Sequence, residues 1–148
     1  MTRGFEIVSS YKDQGIRIPQ RKTGFSAGYD LEAAETVVIP PKGTAKIPTG
    51  LKAYMMSDET LLVYARSSLF ATRGCMLVNS VAVIDADYHD NPGNEGHILI
   101  SLINLRDETV TIPKGERFAQ GIFTKYLKTD EDTPSETLRV GGYGSTGR

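Results

Sequence analysis

The apolar positions of this chain fall in short runs separated by turn residues, and nowhere do they keep a helical spacing for long. TVVIPPKG (residues 36–43) reads as a strand closed by a Pro/Gly turn, and VTIPKG (110–115) repeats the device. LKAYM (51–55) puts Leu51, Ala53 and Met55 on one face, TLLVYA (60–65) is a further strand, and MLVNSVAVI (76–84), HILISLI (97–103) and RFAQGIF (117–123) supply three more. Strands at this spacing, with Pro and Gly between them, predict an all-β fold: a sandwich, jelly roll or barrel. SSLFATRG (67–74) predicts one short helix, with serines suited to the N-cap and Gly74 at a C-cap position. VNSVAVIDADYHDNPGNEGHI (78–98) reads as two strands joined in a hairpin by a long polar loop. From Lys128 onward, TDEDTPSETLR is polar, acidic and interrupted by Pro134, a linker that frees the last residues from the domain. The expected organisation is a single β domain over 1–127, a flexible polar arm over 128–140 and a glycine-rich terminal motif over 141–148.

Composition narrows the function classes. A chain of 148 residues fits one domain, and such a domain buries roughly two thirds of the surface its unfolded chain exposes. With 17 basic against 18 acidic residues and no basic run, the long-range attraction that nucleic-acid or membrane binding needs is missing. MTRGFEIVSS lacks the apolar run of a signal peptide, and no apolar stretch is long enough to span a bilayer, so a cytoplasmic location is expected. The single Cys75 cannot form an intrachain disulfide, and two histidines make no zinc-type cluster. Cys75 is read as a small buried apolar residue.

Three segments carry candidate chemistry. Asp85 sits where an apolar strand ends, and a carboxylate there can point into a cleft and hold a water for attack, against the ordinary reading of a turn aspartate. Asp85, Asp87, His89 and Asp90 do not make a calcium loop, because Asp90 and Gly96 stand where that loop needs its glycine and its closing glutamate. In ARSSLFATRG, a helix beginning at Ser67 or Ser68 would offer unsatisfied N–H groups to an anion, with Arg66 as a bidentate fork; a plain N-cap beside a surface arginine is the alternative. Gln120, inside the apolar RFAQGIF, either caps a strand edge or donates to a ligand. The ending GGYGSTGR places four glycines in eight positions, which excludes a helix. Its Gly142-x-Gly144-x-x-Gly147 spacing matches the dinucleotide fingerprint, but no strand precedes it. Bare amides, the Ser145 and Thr146 hydroxyls, Arg139 and Arg148 could cradle phosphate with Tyr143 free to stack, or the segment is a frayed end.

Taken in order, AGYDL (27–31), ARSSL (65–69), VNSVAVIDADY (78–88), GERFAQ (115–120) and GGYGSTG (141–147) resemble the five motifs of the trimeric dUTPase family, over nearly the whole chain. The resemblance implies a jelly-roll-like β fold assembled as a homotrimer with active sites shared between subunits. It also implies hydrolysis of dUTP to dUMP and pyrophosphate with Mg²⁺, which keeps uracil out of DNA and supplies dUMP for dTMP synthesis. Carried onto this chain, it implies that Asp85 is the general base for the attacking water. Tyr88 packs on deoxyribose and leaves no room for a 2′-hydroxyl; Asn79, the backbone of Val83, and Leu99 read uracil. Arg66, Ser67, Ser68 and Gln120 bind the triphosphate, Asp30 holds Mg²⁺ through waters, and Arg139, Tyr143, Gly144, Ser145 and Thr146 belong to the closing tail.

The chain departs from the family pattern at several places. Ser68 and Ala82 stand at common glycine positions, His89 to His97 is longer than the usual link, Tyr143 replaces the more frequent Phe, and Arg139 lies one residue nearer to it. Two rival functions are a dCTP deaminase, which shares the fold, and a dUTPase-like docking protein that would present the 89–97 loop to a partner.

Overall fold

In the computed structural model, which describes residues 1–135 and 139–142, the regular structure is almost entirely short antiparallel strands. These are β1 (Gly4–Ile7), β2 (Tyr29–Glu32), β3 (Val37–Ile39), β4 (Thr44–Pro48), β5 (Leu51–Tyr54), β6 (Glu59–Ala65), β7 (Cys75–Leu77), β8 (Ala82–Asp85), β9 (Leu99–Asn104), β10 (Val110–Ile112) and β11 (Arg117–Lys125). One short helix, α1 (Leu69–Arg73), and the 3-10 turns Ser9–Tyr11 and Ala86–Tyr88 complete the described elements.

Pairing is nested along the chain: β2 with β11, β3 with β10, and β4 with β9. A long hairpin folded over on itself produces this pattern, which is the connectivity of a jelly roll and agrees with the predicted all-β class. The larger sheet runs β2-β11-β6-β8 and the smaller β4-β9-β7, with β1-β5 and β3-β10 as separate pairs. The two segments that share the Pro/Gly device thus pair with each other. Both turns bend at a residue with positive φ, Lys42 in the first and Gly115 in the second, and each closes through a backbone bond, Gly43 N to Pro40 O and Glu116 N to Pro113 O.

Strand alternation builds the core. In β9 the side chains of Ile100, Leu102 and Asn104 turn inward while Leu99, Ser101 and Ile103 stay partly exposed. Leu31, Leu61, Val63 and Phe118 from the larger sheet meet Ile47, Leu77, Ile100 and Leu102 from the smaller one in a single apolar cluster. Full burial of a side chain such as Phe118 stabilises the fold by roughly 2–3 kcal/mol. Asn104 is a polar residue of this interior; its Nδ2 donates to the carbonyls of Ile39, Pro40 and Glu108, and its Oδ1 accepts from Arg106 N. A fully bonded amide is tolerated at no exposure, where an unpaired one would destabilise. Cys75 is buried as expected, and burial pushes its thiol pKa up.

Three sequence expectations need correction. MLVNSVAVI is not one strand: β7 ends at Leu77, and β8 begins at Ala82 after a turn in which Ser80 takes positive φ. The 78–98 hairpin does not form either, because β8 pairs with β6 whereas β9 pairs with β4 and β7. The chain changes sheets at Asn79–Val81. The helix is also shorter than 67–74. Ser68 at its N-cap is already in the right-handed helical region and makes no side-chain cap bond, while Gly74 closes the C-terminus in the left-handed conformation with φ 65°. Beyond β11, residues 127–135 are exposed and without regular structure. Among the described residues no helix is long and apolar enough to cross a membrane.

Candidate active site

A cleft of ≈ 210 Å³ opens where β8 leaves the sheet of β7 and β9. Ala82, Val83 and Ile84 form one wall and Leu99, Ile100 and Ser101 the other; Asn79, Asp85 and Tyr88 lie around its mouth. β8 is the last strand of its sheet, so one of its edges presents backbone N–H and C=O groups without a strand partner. Such an edge can hydrogen-bond a flat polar ligand lying between the sheets. Ala82, at the family's glycine position, is buried in this wall.

Asp85 ends β8, as the sequence implied, and its half-exposed carboxylate meets the arm. Arg139 Nη2 donates to Asp85 Oδ2 and Arg139 Nε to Asp87 Oδ1, both at 2.7 Å. The guanidinium lies 5.9 Å from the Tyr88 ring centroid, and Arg139 Nη1 donates to Gly141 O. Arg139, expected among the phosphate-binding residues, here sits on two carboxylates. The arm therefore comes back to the domain at 139–142, where the linker reading had freed it. Glycine fits two close contacts on this return, tightly at Gly142 and with no room for a side chain at Gly93. A Cβ on Gly142 would stand 3.0 Å from Tyr88 Cε1, and one on Gly93 would stand 2.3 Å from the Val140 carbonyl oxygen.

Tyr88 is almost wholly buried. Its hydroxyl donates to His97 O at 2.7 Å and accepts from Asn94 Nδ2 at 2.8 Å. The 89–97 segment is a folded turn organised by two asparagines, which the sequence reading passed over. Asn91 Nδ2 donates to Tyr88 O and to Asn94 Oδ1, and Asn91 Oδ1 accepts from Gly93 N and Asn94 N. An Asn three residues before another Asn, around Pro-Gly, was the available signal.

Ion pairs fasten this turn to the domain. Lys52 Nζ donates to Asp90 Oδ1 at 2.5 Å and to Glu95 Oε2 at 2.8 Å, and Glu95 also accepts from Ser9 N and Oγ. The Lys52 ammonium, chiefly, with the Ser9 donors, holds the Glu95 carboxyl down at about 2, against an opposing effect of burial. Burial works against the Lys52 charge as well, but the two carboxylates outweigh it and raise its pKa. His97 Nε2 accepts from Gly50 N at 2.9 Å, which requires a neutral ring protonated on Nδ1. Burial lowers the His97 pKa in keeping with this.

A second cluster joins β2, β6 and β11. Asp30 faces Gln120 in register, and Gln120 faces Tyr64. Arg66 Nε lies 3.6 Å from Asp30 Oδ1, Gln120 Nε2 donates to Ala65 O, and Gly28 packs against the Gln120 amide. Ser67 and Ser68 follow directly after Arg66. Leu69 N donates to Arg66 O, and the helix that follows has only one turn and a half. Among the described residues no group of three or more His, Cys, Asp or Glu is placed to hold a metal. Asp30 with its arginine neighbour fits an ion that keeps its waters and takes further oxygens from phosphates, and does not fit an all-protein cage.

The two clusters are far apart. Asp85 stands opposite Thr60 of β6 and Gln120 opposite Tyr64; four residues along and two strands across is about 16 Å. The structure thus brings Asn79, Val83, Asp85, Tyr88, Leu99 and Arg139 to one place and Asp30, Arg66 and Gln120 to another. Tyr143, Gly144, Ser145 and Thr146 lie outside the described residues.

With this geometry in hand, comparison with known proteins is decisive. The dUTPase family profile matches residues 14–147. A deoxyuridine 5′-triphosphate nucleotidohydrolase of Lactococcus lactis is 54% identical over 146 residues, covering 98% of this chain and 97% of that protein. The crystal structure of a dUTPase from Streptococcus mutans superposes with a TM-score of 0.83 at 45% identity, covering 86% of this chain and 98% of that one. A dUTPase from phage phi11 of S. aureus, whose structure holds a structural Mg(II) ion, gives a TM-score of 0.74 over 93% of this chain and 99% of its own. At 21% identity that last likeness speaks for the fold alone. The chain belongs to the dUTPase family.

Proposed function

We propose that this chain is a dUTP diphosphatase: it hydrolyses dUTP to dUMP and pyrophosphate. The observation that carries the reading is the cleft between β8 and β9, with Asp85 and Tyr88 among the residues that line it. Asp85 accepts a proton from a water as that water's oxygen bonds to the α-phosphorus; the bond from the α-phosphorus to the bridging oxygen breaks, and pyrophosphate leaves with the electron pair. Uracil enters between the strands, where the backbone of Val83, Asn79 and Leu99 meet its polar edge. Such a slot rejects cytosine because buried donors and acceptors would be left unpaired, and thymine because its methyl collides. Tyr88 packs against deoxyribose and denies space to a 2′-hydroxyl.

Phosphate binding falls to the second cluster, Arg66, Ser67, Ser68 and Gln120, with Asp30 holding Mg²⁺ through waters. When bound, the ion would neutralise phosphate charge and orient the leaving group. A separation of about 16 Å along the sheet is more than a triphosphate can span from an α-phosphorus held at Asp85. This supports sites built between copies of the chain, with the Asp85 cleft of one against the Asp30 cluster of another, as in a homotrimer. The tail residues Tyr143, Gly144, Ser145 and Thr146 then close over the nucleotide, and Arg139 exchanges its carboxylates for phosphate oxygens. The 89–97 turn, tied down by Lys52, His97 and Asn91, serves the cleft, and so offers little to the docking-protein reading. Pyrophosphate release with dUTP, dCTP, dTTP and UTP under Mg²⁺ tests the proposal: dUTP should be turned over far faster than the others. Equal turnover of all four, or none of dUTP, would sink it.

A further inference from the structure

We propose that Asn94 is a positioning residue for Tyr88 and thereby sets how strongly the site discriminates deoxyribose from ribose; the inference rests on the reading of Tyr88 as the sugar-facing wall. A wall excludes a 2′-oxygen only if it does not yield, since a shift of a fraction of an ångström to an ångström would admit one. The Tyr88 ring is held at both ends by the same turn. At its backbone, Asn91 Nδ2 donates to the Tyr88 carbonyl at 2.7 Å; at its tip, Asn94 Nδ2 donates to the hydroxyl at 2.8 Å while the hydroxyl donates to His97 O. Asn94 is itself immobile, because its Oδ1 accepts from Asn91 Nδ2 at 2.8 Å and from Gly96 N at 3.1 Å. Gly96 is pressed against the start of the turn, where an added Cβ would stand 2.6 Å from Tyr88 O, and its φ of +87° suits glycine. The turn passes this rigidity to the framework through Lys52 and through Gly50 N on His97. Asn94 is thus a side chain that joins the ring tip to an anchored backbone, without lining the cleft.

The test is kcat/KM for dUTP and UTP with the full-length enzyme and the variants Asn94→Ala, Asn94→Asp, Tyr88→Phe and the double variant Tyr88→Phe/Asn94→Ala. Asn94→Asp keeps acceptors for Gly96 N and Asn91 Nδ2 but puts an acceptor where the Tyr88 hydroxyl has its donor, so the hydroxyl keeps only one of these two bonds while the turn stays bonded. Losing one net hydrogen bond predicts a fall in the dUTP-to-UTP ratio of about 3- to 10-fold in both Asn94 variants, carried by a gain on UTP. Tyr88→Phe should fall at least as far, and the double variant no further than Tyr88→Phe alone, because both substitutions cut the same link. An unchanged ratio in either folded Asn94 variant, or additive losses in the double variant, would overturn the proposal. Tyr88→Ala tells the two readings apart: if removing the ring leaves the ratio unchanged, Tyr88 is not the sugar wall. If the ring matters but Asn94 does not, only the positioning role is lost.

Discussion

Replacing Glu95 by Gln removes the charge that ties the 89–97 turn to Lys52 while keeping the side chain's shape. A carboxyl whose pKa falls from 4.5 to about 2 on folding corresponds to somewhat over 3 kcal/mol by linkage, at about 1.4 kcal/mol for each pKa unit. About a third of the Glu95 side chain remains in contact with solvent, 32% by area, where ion pairs contribute only about 0–1 kcal/mol. The two effects together place the loss at about 1–2 kcal/mol. For a domain of this size that lowers the melting temperature by about 2–8 °C. The sign follows from proton binding. Between pH 4.5 and 2 the unfolded chain takes up a proton at this carboxyl that the folded chain refuses, so the Glu95 contribution is complete above pH 4.5 and is lost as pH falls toward 2. Thermal melts of both proteins at one protein concentration, from pH 7 down to the acid limit of folding, provide the assay; fixed concentration matters because assembly itself shifts the melt. The gap between wild type and Glu95→Gln should be full at neutral pH and close on acidification. No gap at pH 7, or one that stays constant below pH 4.5, refutes the reasoning.

Asp85→Asn should lower kcat by about 10²–10⁴-fold, the usual worth of a positioned base, while a non-hydrolysable dUTP analogue still binds in a calorimetric titration; hydrolysis at the original rate would remove Asp85 from its role. Deleting residues 141–148 should cut turnover by about 100-fold, as expected when backbone donors to phosphate are removed, yet leave the melting temperature within a degree or two, because Gly141 and Gly142, the described residues of this stretch, are not members of the core cluster. A truncated enzyme with full activity would return the glycine-rich tail to a frayed end.

Most of the strands were legible because each is a short run whose alternate residues must find a core. Leu51 and Ala53 are buried on the face the pattern gave them, while Met55, expected with them, lies past the end of β5 and is partly buried. MLVNSVAVI misled for a physical reason. Val78 and Val81 continue the apolar run across the break, and the residue that takes positive φ there is Ser80, without the glycine that usually marks such a bend. Sheet membership was hidden for the same reason: period-two patterning says which face of a strand is buried but not which strand lies beside it. Only the nested long-range pairing separates β8 from β9 and opens the cleft between them.

The site divides along the same line between local and distant information. Asp85 at the end of an apolar strand, Gln120 within another and the Arg66 segment announced themselves locally. The contacts of Arg139 with Asp85 and Asp87 bridge more than fifty positions of sequence, beyond the reach of any local pattern. They also alter what the arm means. A guanidinium shared by two carboxylates, 5.9 Å from the Tyr88 ring centroid, engages the Asp85 carboxylate that the proposed mechanism needs for a water. Phosphate oxygens bind arginine by the same charge-assisted bonds as carboxylates. On the function proposed above, an arriving triphosphate would compete with Asp85 for Arg139, so that freeing the proposed base and closing the arm would be one exchange of ion pairs.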